Sequence, residues 1–599
     1  MFNSRRTWWH AGLFFAMTLV WAVLAIPGTA TAAPAYLVGA PETSRPGPYA
    51  VRSQTYDLGD TAFQPAGFPG KVELAGVVHA PRNSRGKKLP LVVFLHGRHQ
   101  VCGAPDGAVD SHWPCQSPFT PIPSYRGYDA VGRLLASHGY VVVSISANGI
   151  SAADNSDATY GQTARGELIQ KHLDLWKEWS STGDGPFGDE FKGAIDFSRI
   201  GLVGHSRGGE GIVSELKINA ASGRHYGIKA ILGIAPTDFL RQIPTGVASA
   251  TLLSACDGDQ FDLEGAHYYD DSLSAGRTDP HPKYQVVVAG ANHYFYNTVW
   301  SPSSGLPGAM DDWDKITRAG GTGGACAPDS GQRLTEEQQQ AVGSAYITSF
   351  FRMELGGERQ FSGLWRGSLA PPPSASFAKV STSYLAPALP GERLDLNHLA
   401  AGGDLTKNAL GGGVELAGFE PSGLCGGSGQ TEACLSGVFA GKKLEPHGYT
   451  TFGSSTTPGL GMVQLRWSRA GASLNNELPG PARRIGSYRE ITFRAVLDFS
   501  DAHDADTADV PMHVVLTDGE GQKASVSVSD HGRQLTSPDL LTVANGGAGH
   551  DLPVRRLLLK QIRVPLSAFD IGLQDVRSVS LVFDGARGAV DVSDLAFSN

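Results

Sequence analysis

Beyond its N-terminal stretch the chain lacks any apolar run long enough to cross a bilayer. It also lacks a long basic run, and its formal net charge is -9, which argues against nucleic acid as a partner. No tandem repeat of fixed period is present, so a solenoid or propeller is not expected. What remains is a composition of the soluble globular kind, 41% hydrophobic and 18% charged. At 599 residues it is too long for one core, so two or more domains are expected.

The N-terminus carries Arg5 and Arg6, then an apolar stretch from Ala11 to Ile26, then "PGTATAAPA". A charged segment, an apolar segment and Ala30-Thr31-Ala32 before Ala33 make a secretory signal peptide over residues 1–32. The expectation is a secreted, extracellular protein with no stable membrane insertion after cleavage; the alternative is an uncleaved anchor. The six cysteines then sit in an oxidising compartment. Locality suggests Cys102–Cys115 and Cys425–Cys434, which leaves Cys256 and Cys326 to each other. Free thiols are the alternative.

From about Pro34 to Arg366 apolar strand-like runs alternate with helical patterns. "PLVVFLHG" (90–97), "YVVVSISA" (140–147), "RIGLVGHS" (199–206), "IKAILGIAP" (228–236), "ATLLSACDGD" (250–259) and "YQVVVAGANH" (284–293) are the strands. Among the helices, residues 164–179 place Leu168, His172, Leu175 and Trp179 on one face, and Thr335 with Gln338 makes a capping box. The pattern predicts a mostly parallel sheet with helices on both faces over residues 33–366. The Pro/Ser-rich "GSLAPPPSASF" (367–377) reads as a linker, with the whole crossing taken as 367–385. Residues 386–599 are strand-rich and predict an all-β sandwich.

Ser206 lies in "RIGLVGHSRGGEG" (199–211), the one G-x-S-x-G whose centre is serine. It follows a predicted strand and precedes a helical stretch, the context of a nucleophile elbow. A serine hydroxyl needs a base, and for this elbow the order is Ser, acid, His. Asp257, Asp259 and Asp262 are the acid candidates; Asp259 is preferred because the chain has left the sheet there, with Asp257 next. A solvated acidic loop or a calcium site is the alternative use of these carboxylates. His293, ending its strand, is the base, ahead of His267 and His281. The oxyanion hole is expected from the backbone N–H groups of Arg207 and Arg98, with His96 holding the loop.

With "GPYAV", "ASHGYVVVSIS", "IDFSRIGLVGHSRGGEG", "ATLLSACDGD" and "GANHYF" in this order, residues 47–300 resemble secreted α/β-hydrolases of the bacterial cutinase and polyester-hydrolase (PET-hydrolase-like) type. The resemblance implies the α/β-hydrolase fold, the triad Ser206, Asp259 and His293, oxyanion donors at Arg98 and Arg207, and no metal or organic cofactor. Arg207 stands where the family usually has methionine, and Thr237 where many members have tryptophan. Residues 99–124 and 300–330 look like insertions near the cleft mouth. The C-terminal region resembles jelly-roll, carbohydrate-binding-type modules, with Tyr449, Trp467 and Tyr488 as possible stacking or core aromatics.

These observations imply a secreted serine carboxylesterase, lipase- or cutinase-like, acting on lipid, cutin-like or aliphatic polyester substrates. The alternatives are an acyl or feruloyl esterase brought to polysaccharide by the sandwich, and a catalytically silent surface-binding protein. Two further expectations follow. A chain ending near Gly367 would fold alone, and the rate on neutral esters would rise with an imidazole titration near ~6.5–7.

Overall fold

The computed structural model describes residues 38–599 except 224, 261–262, 275, 315–325, 400–402, 426–437, 440–441, 444–460, 499–500, 502, 504–508, 532–534, 537–539, 545–550 and 556–558. The expected signal peptide therefore lies outside the described residues, as do Asp262, Cys434 and Tyr449. Among the described residues no helix is long and apolar enough to cross a membrane.

The N-terminal body is built on nine strands: β1 (Val51–Asp57), β2 (Ala75–Pro81), β3 (Leu89–Leu95), β4 (Val141–Ile145), β5 (Ile195–His205), β6 (Ile228–Ile234), β7 (Ala248–Ser254), β8 (Lys283–Val288) and β9 (Val380–Leu385). Their order across the sheet is β1-β2-β4-β3-β5-β6-β7-β8-β9. The six strands from β4 to β8 in that order run parallel, while β1, β2 and β9 pair antiparallel at the edges. Because side chains alternate along a strand, β3 feeds two cores. Val92 and Phe94 join the cluster under α1 (Asp129–Ser137) and α4 (Glu336–Glu354). Leu91, Val93 and Leu95 join the opposite one, under α2 (Gln162–Thr182) and α3 (Arg207–Ala221).

Helix α2 buries Leu168, His172 and Trp179 as its spacing predicts, whereas Leu175 is only partly buried and Trp176 fills the core instead. His172 is a core histidine: burial pulls it down to about 3, and Nδ1 pairs with the Tyr56 hydroxyl at 2.8 Å. Helix α4 begins on the full capping box of Thr335 and Gln338.

The expected linker needs correction. Residues 380–385 are β9, paired along its length with β8, and Ala370 bridges to Gly39. Proline and serine set the composition of 367–377, but the strand begins only after them, so the Pro-rich stretch leads into the sheet. A chain ending near Gly367 loses an edge strand, which removes the basis for expecting it to fold alone.

Besides three two-stranded ribbons, the described C-terminal residues form two larger antiparallel sheets. One contains Gly423–Cys425, Met462–Trp467, Gly588–Ser598, Glu490–Leu497 and Lys560–Pro565, with Arg393–Asn397 added on Gly588–Ser598. The other contains Val414–Ala417, Ala472–Glu477, Val576–Phe583, Met512–Asp518 and Lys523–Ser527. Their inner faces share one apolar cluster that includes Trp467, Phe493, Leu581 and Phe583. Trp467 is fully buried there and donates its indole N–H to the Gly585 carbonyl, so it is a core residue. Tyr488 packs on Phe597 at the margin of the same core.

The sandwich meets the N-terminal body through a buried surface. Tyr269, Leu273 and Leu385 pack with Cys425, Met462, Val496 and Leu559. Within this patch Arg494 and Asp270 form an ion pair, 1% and 2% exposed, with the guanidinium over the Tyr269 ring. The Gln561 side chain spans to β9, accepting from the Tyr384 N–H and donating to the Tyr384 carbonyl, both at 2.8 Å. Breaking a buried pair leaves a charge without its partner, which costs about 3–5 kcal/mol. Arg494→Ala is therefore expected to lower unfolding stability by roughly that amount, and Arg494→Met with Asp270→Leu by less. Denaturant unfolding of both variants checks the order.

Candidate active site

Four loops leave the C-terminal ends of β3, β5, β7 and β8 and converge, as ligand sites do in parallel sheets. Ser206 occupies the single residue between β5 and α3, with φ 56° and ψ −128°. A non-glycine residue in that region stores strain of ~1–3 kcal/mol. The turn is held by the Ser206 N–H on the Ile234 carbonyl at 2.9 Å and by the Gly209 N–H on the Ser206 carbonyl at 2.8 Å. The flanking glycines are steric requirements: a Cβ on Gly204 would lie 2.1 Å from the Gly208 carbonyl oxygen, and one on Gly208 2.4 Å from that of Leu95.

His293 follows β8, and its ring is 1% exposed. Its Nδ1 pairs with Oδ2 of Asp257 at 2.8 Å. The acid expected from sequence was Asp259, and here the geometry differs. The Asp257 N–H turns back onto the Ser254 carbonyl, which keeps this carboxylate over the strand end and buried to 1%. Two residues later the chain has reached the surface: Asp259 is exposed and accepts from the Tyr294 hydroxyl at 2.9 Å. Asp257 Oδ1 in turn accepts from the N–H groups of residues 259 and 260. The disulfide Cys256–Cys326 anchors the residue before Asp257. The structure also pairs Cys102 with Cys115, and Cys425 is disulfide-bonded.

Two residues that sequence reasoning passed over organise this pair. Asp312 lies in a segment read as an insertion, yet its Oδ2 accepts from the Gly258 N–H at 2.7 Å and the His293 N–H at 2.9 Å. One carboxylate thus ties the acid loop to the histidine loop. Burial, with Asp257 and Asp311 nearby, pushes Asp312 up to about 8. His205 precedes the serine; its Nε2–H donates to the His293 carbonyl at 2.9 Å, and Nδ1 accepts from the Tyr128 hydroxyl at 3.0 Å. Burial holds His205 well below the usual imidazole range, which keeps it neutral. Its position beside Ser206 was the available signal.

His96 holds the β3 loop: the Ala147 N–H donates to Nε2 and Nδ1–H donates to the Gly97 carbonyl, each at 2.8 Å. The histidines weighed against His293 lie elsewhere, His267 beside Asp238 and His281 on Asp279. Thr237 is fully buried and donates to Glu210, so it offers no platform to a ligand. Residues 99–124 and the segment after Trp300 pack on each other beside the site, with His99 stacked on Trp300 at 4.9 Å. Pro307 meanwhile sits where a Cβ on Gly103 would fall. Among the described residues no group of three or more His, Cys, Asp or Glu is arranged to hold a metal ion.

The charge balance at His293 has a definite sign. Burial pulls the imidazole down, but the carboxylates of Asp257, Asp259 and Asp312 more than offset it and hold the ring up at about 9. A nuclear magnetic resonance titration of labelled histidine is expected to place its midpoint near 9. Asp312→Asn removes one carboxylate that favours the imidazolium, so the midpoint moves lower.

Residues 122–303 match the family model described as "PETase: PET hydrolase-like". That stretch contains Ser206, Asp257 and His293, and it is a PET-hydrolase-like region. A bis(hydroxyethyl) terephthalate hydrolase of Streptomyces coelicolor is 26% identical over 180 residues, which cover 29% of this chain and 50% of that protein. The chain thus spans about half the length of the curated relative it matches.

Proposed function

We propose that the chain is a serine-dependent carboxylic-ester hydrolase whose triad is Ser206, His293 and Asp257. The observation that carries this is the strained Ser206 backbone at the strand–helix turn, in the same loop cluster as the buried His293–Asp257 pair. The PET-hydrolase-like match over residues 122–303 supports the ester as substrate.

In this scheme Ser206 Oγ bonds to the ester carbonyl carbon while its proton passes to His293 Nε2. The carbonyl pair moves onto oxygen, which the backbone N–H groups of Arg98 and Arg207 receive. Collapse breaks the bond to the alcohol oxygen, and His293 returns the proton to the departing alcohol. Water then repeats the sequence on the acyl-serine, its proton passing through His293, and releases the acid. Asp257 accepts from Nδ1–H throughout and stabilises the imidazolium. The substrates are lipid, cutin-like or aliphatic polyester acyl groups. Export belongs to the same proposal, since disulfides persist in oxidising compartments.

His293 must be neutral to take the proton, and it is held at about 9. The rate on a neutral ester therefore rises with pH later than the ~6.5–7 of an ordinary imidazole. Ser206→Ala is expected to lower hydrolysis of a nitrophenyl ester by about four to six orders of magnitude and to abolish labelling by an organophosphate. Asp257→Asn should cost about 10⁴-fold and Asp259→Asn less than about tenfold, since Asp257 is the one buried against the ring. Steady-state kinetics of the three variants test the assignment. Equal losses at 257 and 259 would reject it.

A further inference from the structure

Two arginines flank Ser206. Arg207 follows it directly, and Arg98 follows Gly97, where a Cβ would lie 3.1 Å from Ser206 Oγ. Both side chains run to one buried carboxylate, Asp154: Arg98 Nε lies 3.1 Å from Oδ1 and Arg207 Nη1 2.8 Å from Oδ2. The same Oδ2 accepts from Arg165 Nη2 at 2.9 Å. Arg165 and Asp154 are both 0% exposed and already form a neutral pair, so a surplus of positive charge rests on Arg98 and Arg207.

That surplus has little to neutralise it. Arg207 also donates from Nη2 to the uncharged Asn155 amide oxygen at 3.1 Å. Arg207 Nη1 is buried and near Asp154, yet it makes no well-directed hydrogen bond. The Arg207 guanidinium lies 5.9 Å from the Tyr160 ring and 5.4 Å from the Phe239 ring, which hold its plane. Arg98 remains 44% exposed. Guanidinium groups fixed in this way match a carboxylate in geometry as well as charge. The whole chain is negative, at -9, so any preference for an anion has to arise locally.

We propose that Arg98 and Arg207 form an anion subsite beside Ser206 that takes a carboxylate carried by the ester substrate. Half-esters of dicarboxylic acids, the species left when a diester or polyester is cut once, are then preferred over neutral esters of the same length. This rests on the serine-hydrolase proposal above.

The test compares 4-nitrophenyl hexanoate with the 4-nitrophenyl half-ester of adipic acid, and with the hexanoate of a carboxylated nitrophenol. The second ester places the carboxylate on the acyl side and the third on the alcohol side. The wild-type protein is expected to show kcat/KM at least about tenfold higher for one of the anionic esters at low salt, narrowing as salt screens the exposed Arg98. Arg207→Met and Arg98→Gln should each lower the anionic-to-neutral ratio by about tenfold. Organophosphate titration of the serine counts the competent enzyme in each preparation, so misfolding does not mimic the effect. A wild-type ratio near one, or a ratio that neither variant changes, overturns the subsite. If none of the three esters is cleaved and Ser206 is not labelled, the hydrolase proposal falls and the subsite with it.

Discussion

The hydrogen bond between His293 Nδ1 and Asp257 is made in a place where neither partner would be stable alone. An isolated imidazolium or carboxylate at this depth would lose its hydration with nothing in exchange. The surrounding loops therefore have to be fixed to fractions of an ångström, and much of the nearby chain serves that need. Cys326 fixes the residue before Asp257, Asp312 gathers the backbone of both loops, and His205 holds the His293 carbonyl from below. The segment after Trp300, which looks dispensable in sequence, supplies two of these three restraints.

The sandwich is equally committed to its neighbour. A flexible tether would leave polar, hydrated surfaces between the bodies, whereas Arg494 with Asp270 and the Tyr269–Met462 patch are withdrawn from water. Charges are withdrawn from water only against an accurately placed partner, so the two bodies have one preferred arrangement around this pair.

The six parallel strands were legible because each is buried on both faces and reads as a continuous apolar run. The edge strands were not. β1, "VRSQTYD", is mostly solvent-facing, and β9, "VSTSYL", follows a Pro/Ser-rich stretch that dominates the local composition. The serine turn and His293 were legible from their places at strand ends. The carboxylate that meets His293 was not, because which of Asp257 and Asp259 reaches the ring depends on the way a loop turns. That turn is set by a disulfide and an aspartate that lie more than fifty residues on. No local periodicity carries such information.

Gln561 shows what the sandwich does for the sheet as a whole. Its amide accepts from and donates to the backbone of Tyr384, as the main chain of a tenth strand would. An open edge of a sheet this wide is a template on which other chains assemble. At Tyr384 a side chain meets the edge, so the ladder is capped at that residue without being extended. There the edge's outward donor and acceptor, the groups a further strand would pair with, are already taken by the sandwich.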